Sequence, residues 1–120
     1  MKWLRSKGVK RILIISPTPE FARRVPECVA RADQYGRERD AYCSISRAAN
    51  DRRRSKSTNL LREATKGMSS VRVMDPIDLF CDGDICRPYD GDALLFRDAN
   101  HLSESAGVPL MVAAMKDDLD

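Results

Sequence analysis

His101 is the only histidine in the sequence, and Asp98 stands three residues before it on a stretch that leads into Leu102 and Ser103. A histidine on such a loop can accept a proton at the end of a sheet if a carboxylate on the preceding turn accepts a hydrogen bond from its Nδ1–H, fixing tautomer and ring orientation. The D-x-x-H spacing alone is a short pattern that also arises by chance, and a lone histidine is more often a hydrogen-bonded structural residue.

Four cysteines, Cys28, Cys43, Cys81 and Cys86, form an even set. Cys81 and Cys86 flank Gly83 closely enough to staple a loop, and Cys28 with Cys43 would tie the end of one helix to the start of the next. As disulfides they would contribute about 2 kcal/mol for the short loop and about 3 for the longer one. Each needs a Cα separation of about 4.4–6.8 Å. Free thiols are one alternative. Metal binding by Cys81, Cys86 and His101 is another, but it lacks the paired C-x₂₋₄-C spacing of structural zinc sites, so neither metal nor cofactor is expected. Arg52, Arg53 and Arg54, with Arg47 and Lys56 nearby, form a basic cluster with no aromatic residue among them to stack a base. On a helix such residues spread over several faces, so a solvated surface is expected, with a nucleic-acid-binding module as the rival reading.

The elements that must position these residues follow from apolar spacing and breakers. Ile12 to Ile15, stopped by Ser16-Pro17, reads as a buried parallel strand. Pro26 to Gly36 has proline at a plausible first helical position and glycine after the last turn, the mark of a short helix. Ser44 to Gly67 reads as one long helix with Ile45, Ala48, Ala49, Leu60, Leu61 and Ala64 near helical spacing, frayed or broken near Arg53 to Ser57. Val71 to Met74 is a second strand, stopped by Asp75-Pro76. Cys81 to Phe96 reads as a tight loop and a β-hairpin turning at Asp90-Gly91. Leu102 to Leu119 is a terminal helix with Ser103 as N-cap and Pro109 in its second turn, where it should cost a hydrogen bond or a kink. Phe80, Tyr89 and Phe96 read as core or hairpin packing. Strand, helices, strand is the order of an α/β crossover.

With 120 residues, 42% hydrophobic and 32% charged, the sequence is that of an ordinary globular chain with one core. The net charge of +3 is too small to demand a polyanionic partner. No stretch approaches the roughly 18 apolar residues of a membrane span. The basic N-terminus leads into an apolar run too short for a signal peptide, which needs about 7–15 such residues. Cysteines that favour an oxidising compartment and a chain without an export signal conflict. They reconcile if the sequence is a piece of a longer, membrane-targeted polypeptide or if the cysteines stay reduced.

The wider string is more specific. Met74-Asp75-Pro76, then Leu79-Phe80-Cys81-Asp82-Gly83, Cys86, and Leu95-Phe96-Arg97-Asp98-Ala99-Asn100-His101-Leu102-Ser103 resemble the C-terminal end of SGNH domains fused to membrane acyltransferases of bacterial surface polysaccharides. Upstream, Ile12 to Ser16, Pro19-Glu20, Pro26-x-Cys28 and Cys43-Ser44 extend the resemblance from about Val9 to the terminal helix. It implies residues 1–120 to be a single, partial, flavodoxin-like three-layer α/β domain with a small parallel sheet, flanking helices and a C-terminal hairpin. It also implies that a serine attacks an acyl ester, His101 accepts its proton and Asp98 orients the histidine. The family's serine lies in a Gly-Asp-Ser motif near the domain's start. Here Gly83-Asp84 is followed by Ile85 and Gly91-Asp92 by Ala93, so neither supplies it.

The resemblance therefore implies acyl transfer or ester hydrolysis on cell-surface carbohydrate at the periplasmic side of a membrane, with the isolated chain inactive. Its expected partners are the missing N-terminal half, a membrane acyltransferase domain, or a second copy pairing at an open sheet edge. A non-catalytic accessory or remnant domain is the alternative.

Overall fold

The computed structural model describes residues 2–119. In chain order the elements are α1 (Lys2–Ser6), β1 (Ile12–Ile15), α2 (Val25–Gln34), α3 (Arg39–Cys43), β2 (Ile45–Ser46), α4 (Arg47–Thr65), β3 (Val71–Met74), α5 (Ile77–Phe80), β4 (Ile85–Cys86), β5 (Tyr89–Asp90), β6 (Ala93–Leu94) and α6 (Gly107–Leu119). This is a mixed α/β arrangement: β1 and β3 form a small parallel sheet, and β2–β4 and β5–β6 are short antiparallel pairs. No helix among the described residues is long and apolar enough to cross a membrane.

The aliphatic run of β1 lies beside β3 with Ile12 opposite Val71 and Ile15 opposite Met74. A parallel pair needs a long crossover, and α2, α3 and α4 supply it. All four residues of β1 are half-buried rather than buried, because the parallel sheet has only two strands among the described residues. Between them, α2 buries Val25, Cys28, Val29 and Ala32, a helical stripe, and the chain leaves it through Gly36 at φ +62°. The core continues through Ile77, Phe80, Leu95, Phe96 and Met111. Fully buried Phe96 meets Phe21 edge-on at 5.1 Å and Phe80 at 5.3 Å between centroids.

The long helix differs from its sequence reading in three respects. Residues 44–46 lie outside it, since Ile45–Ser46 pairs with Ile85–Cys86 and the Ser46 hydroxyl accepts the Ala49 N–H at 3.1 Å as N-cap. From Arg47 to Thr65 it runs without the break expected near Arg53 to Ser57. Its inward stripe is also polar: Asn50, Arg54 and Thr58 are buried, while Leu60 is 62% exposed. Asn50, Arg54 and Thr58 recur every fourth residue, so they share one face. The reason that face turns inward lies at the strand ends, where Arg54 donates to the Pro17 carbonyl at 2.6 Å, the Ser16 hydroxyl at 3.3 Å and the Asp75 carboxylate at 2.6 Å.

Two smaller shifts have equally definite causes. The hairpin turns on Gly91-Asp92, one residue beyond the expected Asp90-Gly91, with Asp90 paired to Ala93 and Gly91 at φ +58°. The terminal helix begins at Gly107 rather than at Leu102. A Cβ at Gly107 would lie 2.0 Å from the Leu95 carbonyl oxygen, so only glycine lets the helix start against that loop. Pro109 consequently falls in the first turn, where its missing N–H has no intrahelical partner to lose.

The structure joins Cys28 to Cys43 and Cys81 to Cys86, with Cα separations of 5.8 and 3.9 Å. The second pair is closer than the roughly 4.4–6.8 Å expected of it, and its pairing removes both sulfurs from a metal-binding reading. Replacing Cys28 and Cys43 together by alanine should cost about 3 kcal/mol in denaturant unfolding, against about 2 for the Cys81 and Cys86 pair. Four thiols open to alkylation in denatured, unreduced protein purified from an oxidising compartment would contradict both linkages.

Candidate functional site

The chain leaves β6, passes Leu95 and closes a loop whose base is an antiparallel bridge between Phe96 and Leu102. Within it, the Arg97 N–H donates to the His101 carbonyl at 2.9 Å. Below it, the Ser103 N–H donates to the Leu95 carbonyl at 2.9 Å, and the Ser103 hydroxyl donates to the Leu94 carbonyl at 2.6 Å. The same hydroxyl accepts from the Ala106 and Gly107 N–H groups at 3.3 and 2.9 Å. Ser103 thus caps the turn that leads into α6 and clamps the loop's exit.

Asp98 organises the inside of this loop. Its Oδ1 accepts the Asn100 N–H at 2.9 Å and the His101 N–H at 2.7 Å, while Oδ2 lies 2.8 Å from His101 Nδ1. The two backbone donors and the ring favour the ionised carboxyl, and together they hold Asp98 down at about 2. With Nδ1 carrying its proton toward a carboxylate, the neutral ring presents Nε2 as its unprotonated nitrogen. The His101 side chain is 60% exposed, and Nδ1 is its only hydrogen-bonded ring atom among the described residues.

The loop is held from outside by the segment that follows β1. The Phe21 N–H donates to the Ala99 carbonyl at 2.8 Å and the Val25 N–H to the Asp98 carbonyl at 3.4 Å. Arg53 grips that segment through the Thr18 carbonyl at 3.1 Å and the Glu20 carboxylate at 3.0 Å. The basic cluster is therefore divided: Arg54 is buried, Arg53 is occupied, Arg47 pairs with Asp78 at 2.8 Å, and Arg52 is exposed.

The structure thus brings Asp98 and His101 together and joins the four cysteines elsewhere. No serine hydroxyl bonds to His101 among the described residues: Ser103 is turned to Leu94, and Ser16 lies beneath Arg54. Sequence reasoning missed the buried Asn50 and Arg54, the Phe21 clasp and the need for Gly107. The four-residue spacing of Asn50, Arg54 and Thr58 was the one available signal, but polar side chains at that period ordinarily mark an outward face. Asn50 Nδ2 and Thr58 Oγ1 are buried without hydrogen-bond partners among the described residues.

A second polar constellation lines an open depression between α3 and the hairpin. Asp40 accepts from the Tyr89 hydroxyl and from Arg87, which also meets Asp82 at 2.7 Å. Arg39 joins Asp33 to Asp92. The Tyr89 hydroxyl, then Arg87, keeps Asp40 below the usual carboxylate range, and burial pushes Tyr89 up. Each cation here meets a carboxylate, so the constellation fastens the hairpin to α3.

A family model described as SGNH domain (fused to AT3 domains) matches residues 1–114. No curated protein and no solved structure matches the chain.

The depressed Asp98 value sets a pH window. Order that depends on its carboxylate should be complete above the ordinary aspartate range near 4 and be lost as pH falls through about 2. A carboxyl-carbon NMR titration of Asp98 in the folded protein should give a midpoint near 2. A midpoint near 4 would mean that the Asn100 and His101 amides do not hold the carboxylate.

Proposed function

The chain belongs to the family of SGNH domains fused to AT3 domains, and from that premise we propose that Asp98 and His101 are the acid and base of an acyl-transfer site. The observation that carries the reading is the 2.8 Å contact between Asp98 Oδ2 and His101 Nδ1, with the far side of the ring exposed. In this reading a serine hydroxyl attacks the carbonyl carbon of an acyl ester while Nε2 of His101 takes its proton. Asp98 stabilises the imidazolium that forms. The imidazolium returns the proton to the departing alcohol, leaving an acyl-serine. A carbohydrate hydroxyl or water then attacks the acyl-serine, with His101 accepting its proton and returning it to the departing serine oxygen, so transferase and esterase differ only in the acceptor.

The nucleophile and the oxyanion donors come from outside these 120 residues, on a Gly-Asp-Ser-bearing segment whose strands extend the parallel sheet. The half-exposed aliphatic side chains of β1 support that docking. Two disulfides support an oxidising setting on the outer side of the membrane, next to a membrane acyltransferase domain and surface carbohydrate. A remnant or accessory role is the second reading, favoured by the absence of any hydroxyl bonded to His101 among the described residues.

Alone, the chain should give no His101-dependent hydrolysis of a chromogenic acetyl ester. Joined to the Gly-Asp-Ser-bearing half of an SGNH domain, it should gain hydrolysis that His101→Ala lowers by about 10⁴-fold or more. Robust hydrolysis by the chain alone, abolished by His101→Ala, would overturn the need for an outside serine. A folded fusion with no activity would favour the remnant reading.

A further inference from the structure

The end of the molecule opposite the Asp98–His101 loop carries a feature the proposed chemistry does not use. Residues 2–11 contain five cations and no acidic residue, and they include Trp3, the chain's single tryptophan. The chain's net charge is +3, so these cations more than account for it, and the remainder is net negative. None of α1 is buried, and Trp3 is 67% exposed. The Lys7 amine lies 5.8 Å from the centre of its ring. Arg5 is hydrogen-bonded to Ser70 at the start of β3, which fixes α1 at the N-terminal end of the parallel pair. The site loop is tied, through Phe21, to the segment leaving the C-terminal end of β1.

Lys2, Arg5, Lys7 and Lys10 make no ion pair among the described residues. Arg11 is turned to the Leu119 carbonyl, and Asp118 near it is taken by Arg72. A large exposed indole is costly to leave in water, but it suits the headgroup layer of a bilayer, where ring and N–H are both accommodated. Cations placed around it meet lipid phosphates there.

We propose that α1 and the residues through Lys10 dock this end of the protein on an anionic lipid surface. Trp3 enters the headgroup layer and Lys2, Lys7 and Lys10 lie against lipid phosphates. The parallel strands then run away from the membrane, and the His101 loop stands at their far end. Charge complementarity selects this occupant. The indole set among cations favours lipid over a polyanion in solution, which would need no apolar anchor. The inference does not depend on what Asp98 and His101 do.

The single tryptophan makes the test direct. Vesicles of phosphatidylcholine with about a third phosphatidylglycerol should shift Trp3 emission to shorter wavelength and carry the protein down on sedimentation, whereas pure phosphatidylcholine vesicles should do neither. Each cation near an anionic surface is worth about fivefold in affinity, so Lys2→Ser/Lys7→Ser/Lys10→Ser should bind roughly 100-fold more weakly. These side chains are exposed, and an unchanged circular dichroism spectrum will show that the variant is folded. Equal binding to both vesicle types, no shift with anionic vesicles, or a shift produced only by single-stranded DNA would each overturn the proposal.

Discussion

Arg54 is 3% exposed, and its guanidinium lies where the two parallel strands end, bonded to the Pro17 carbonyl, the Ser16 hydroxyl and the Asp75 carboxylate. A cation taken this far out of water is tolerated only when its donors are matched. Removing one partner of such a pair typically costs about 3–5 kcal/mol, although replacing the whole group by apolar side chains can be neutral. Its contribution is therefore positional. It fixes where β1 ends, and the segment leaving β1 is the one that holds the site loop through Phe21 and Ala99. The neighbouring Arg53 pins Thr18 and Glu20 on the same segment, so two successive arginines of α4 set the course of the chain between strand and site.

The site loop itself is built around an anion. Asp98 draws two backbone N–H groups and a ring nitrogen onto one carboxylate, so the geometry that shapes the turn is also the geometry that orients His101. An aspartate held down at about 2 remains ionised throughout neutral pH, so it offers His101 Nδ1 an acceptor and favours the tautomer that leaves Nε2 bare. Phe96 packs beneath the loop and Ser103 clamps its exit. Support of this kind is what the acid–base pair proposed for Asp98 and His101 requires.

Elements with a one-dimensional signature were legible in the sequence. The aliphatic run of β1, the proline and glycine around α2, the strand at Val71 to Met74, both cysteine pairs and the D-x-x-H turn all stand close to where spacing put them. What escaped depends on partners distant in the chain. On the inward polar face of α4, Arg54 is held by oxygens of Ser16, Pro17 and Asp75. The start of α6 is displaced to Gly107 by the approach of Leu95, more than ten residues away, which no local propensity encodes. The half-exposure of β1 reflects a strand without a second neighbour among the described residues, and periodicity cannot report that.

Because His101 is the only histidine, ¹⁵N NMR of its ring gives one unambiguous set of signals. If Asp98 sets up the ring as a base, the neutral imidazole carries its proton on Nδ1 with Nε2 bare, and Asp98→Asn shifts the population toward the Nε2–H form. A neutral ring protonated on Nε2 in the unaltered protein, unchanged by Asp98→Asn, would contradict the pairing on which the site is built.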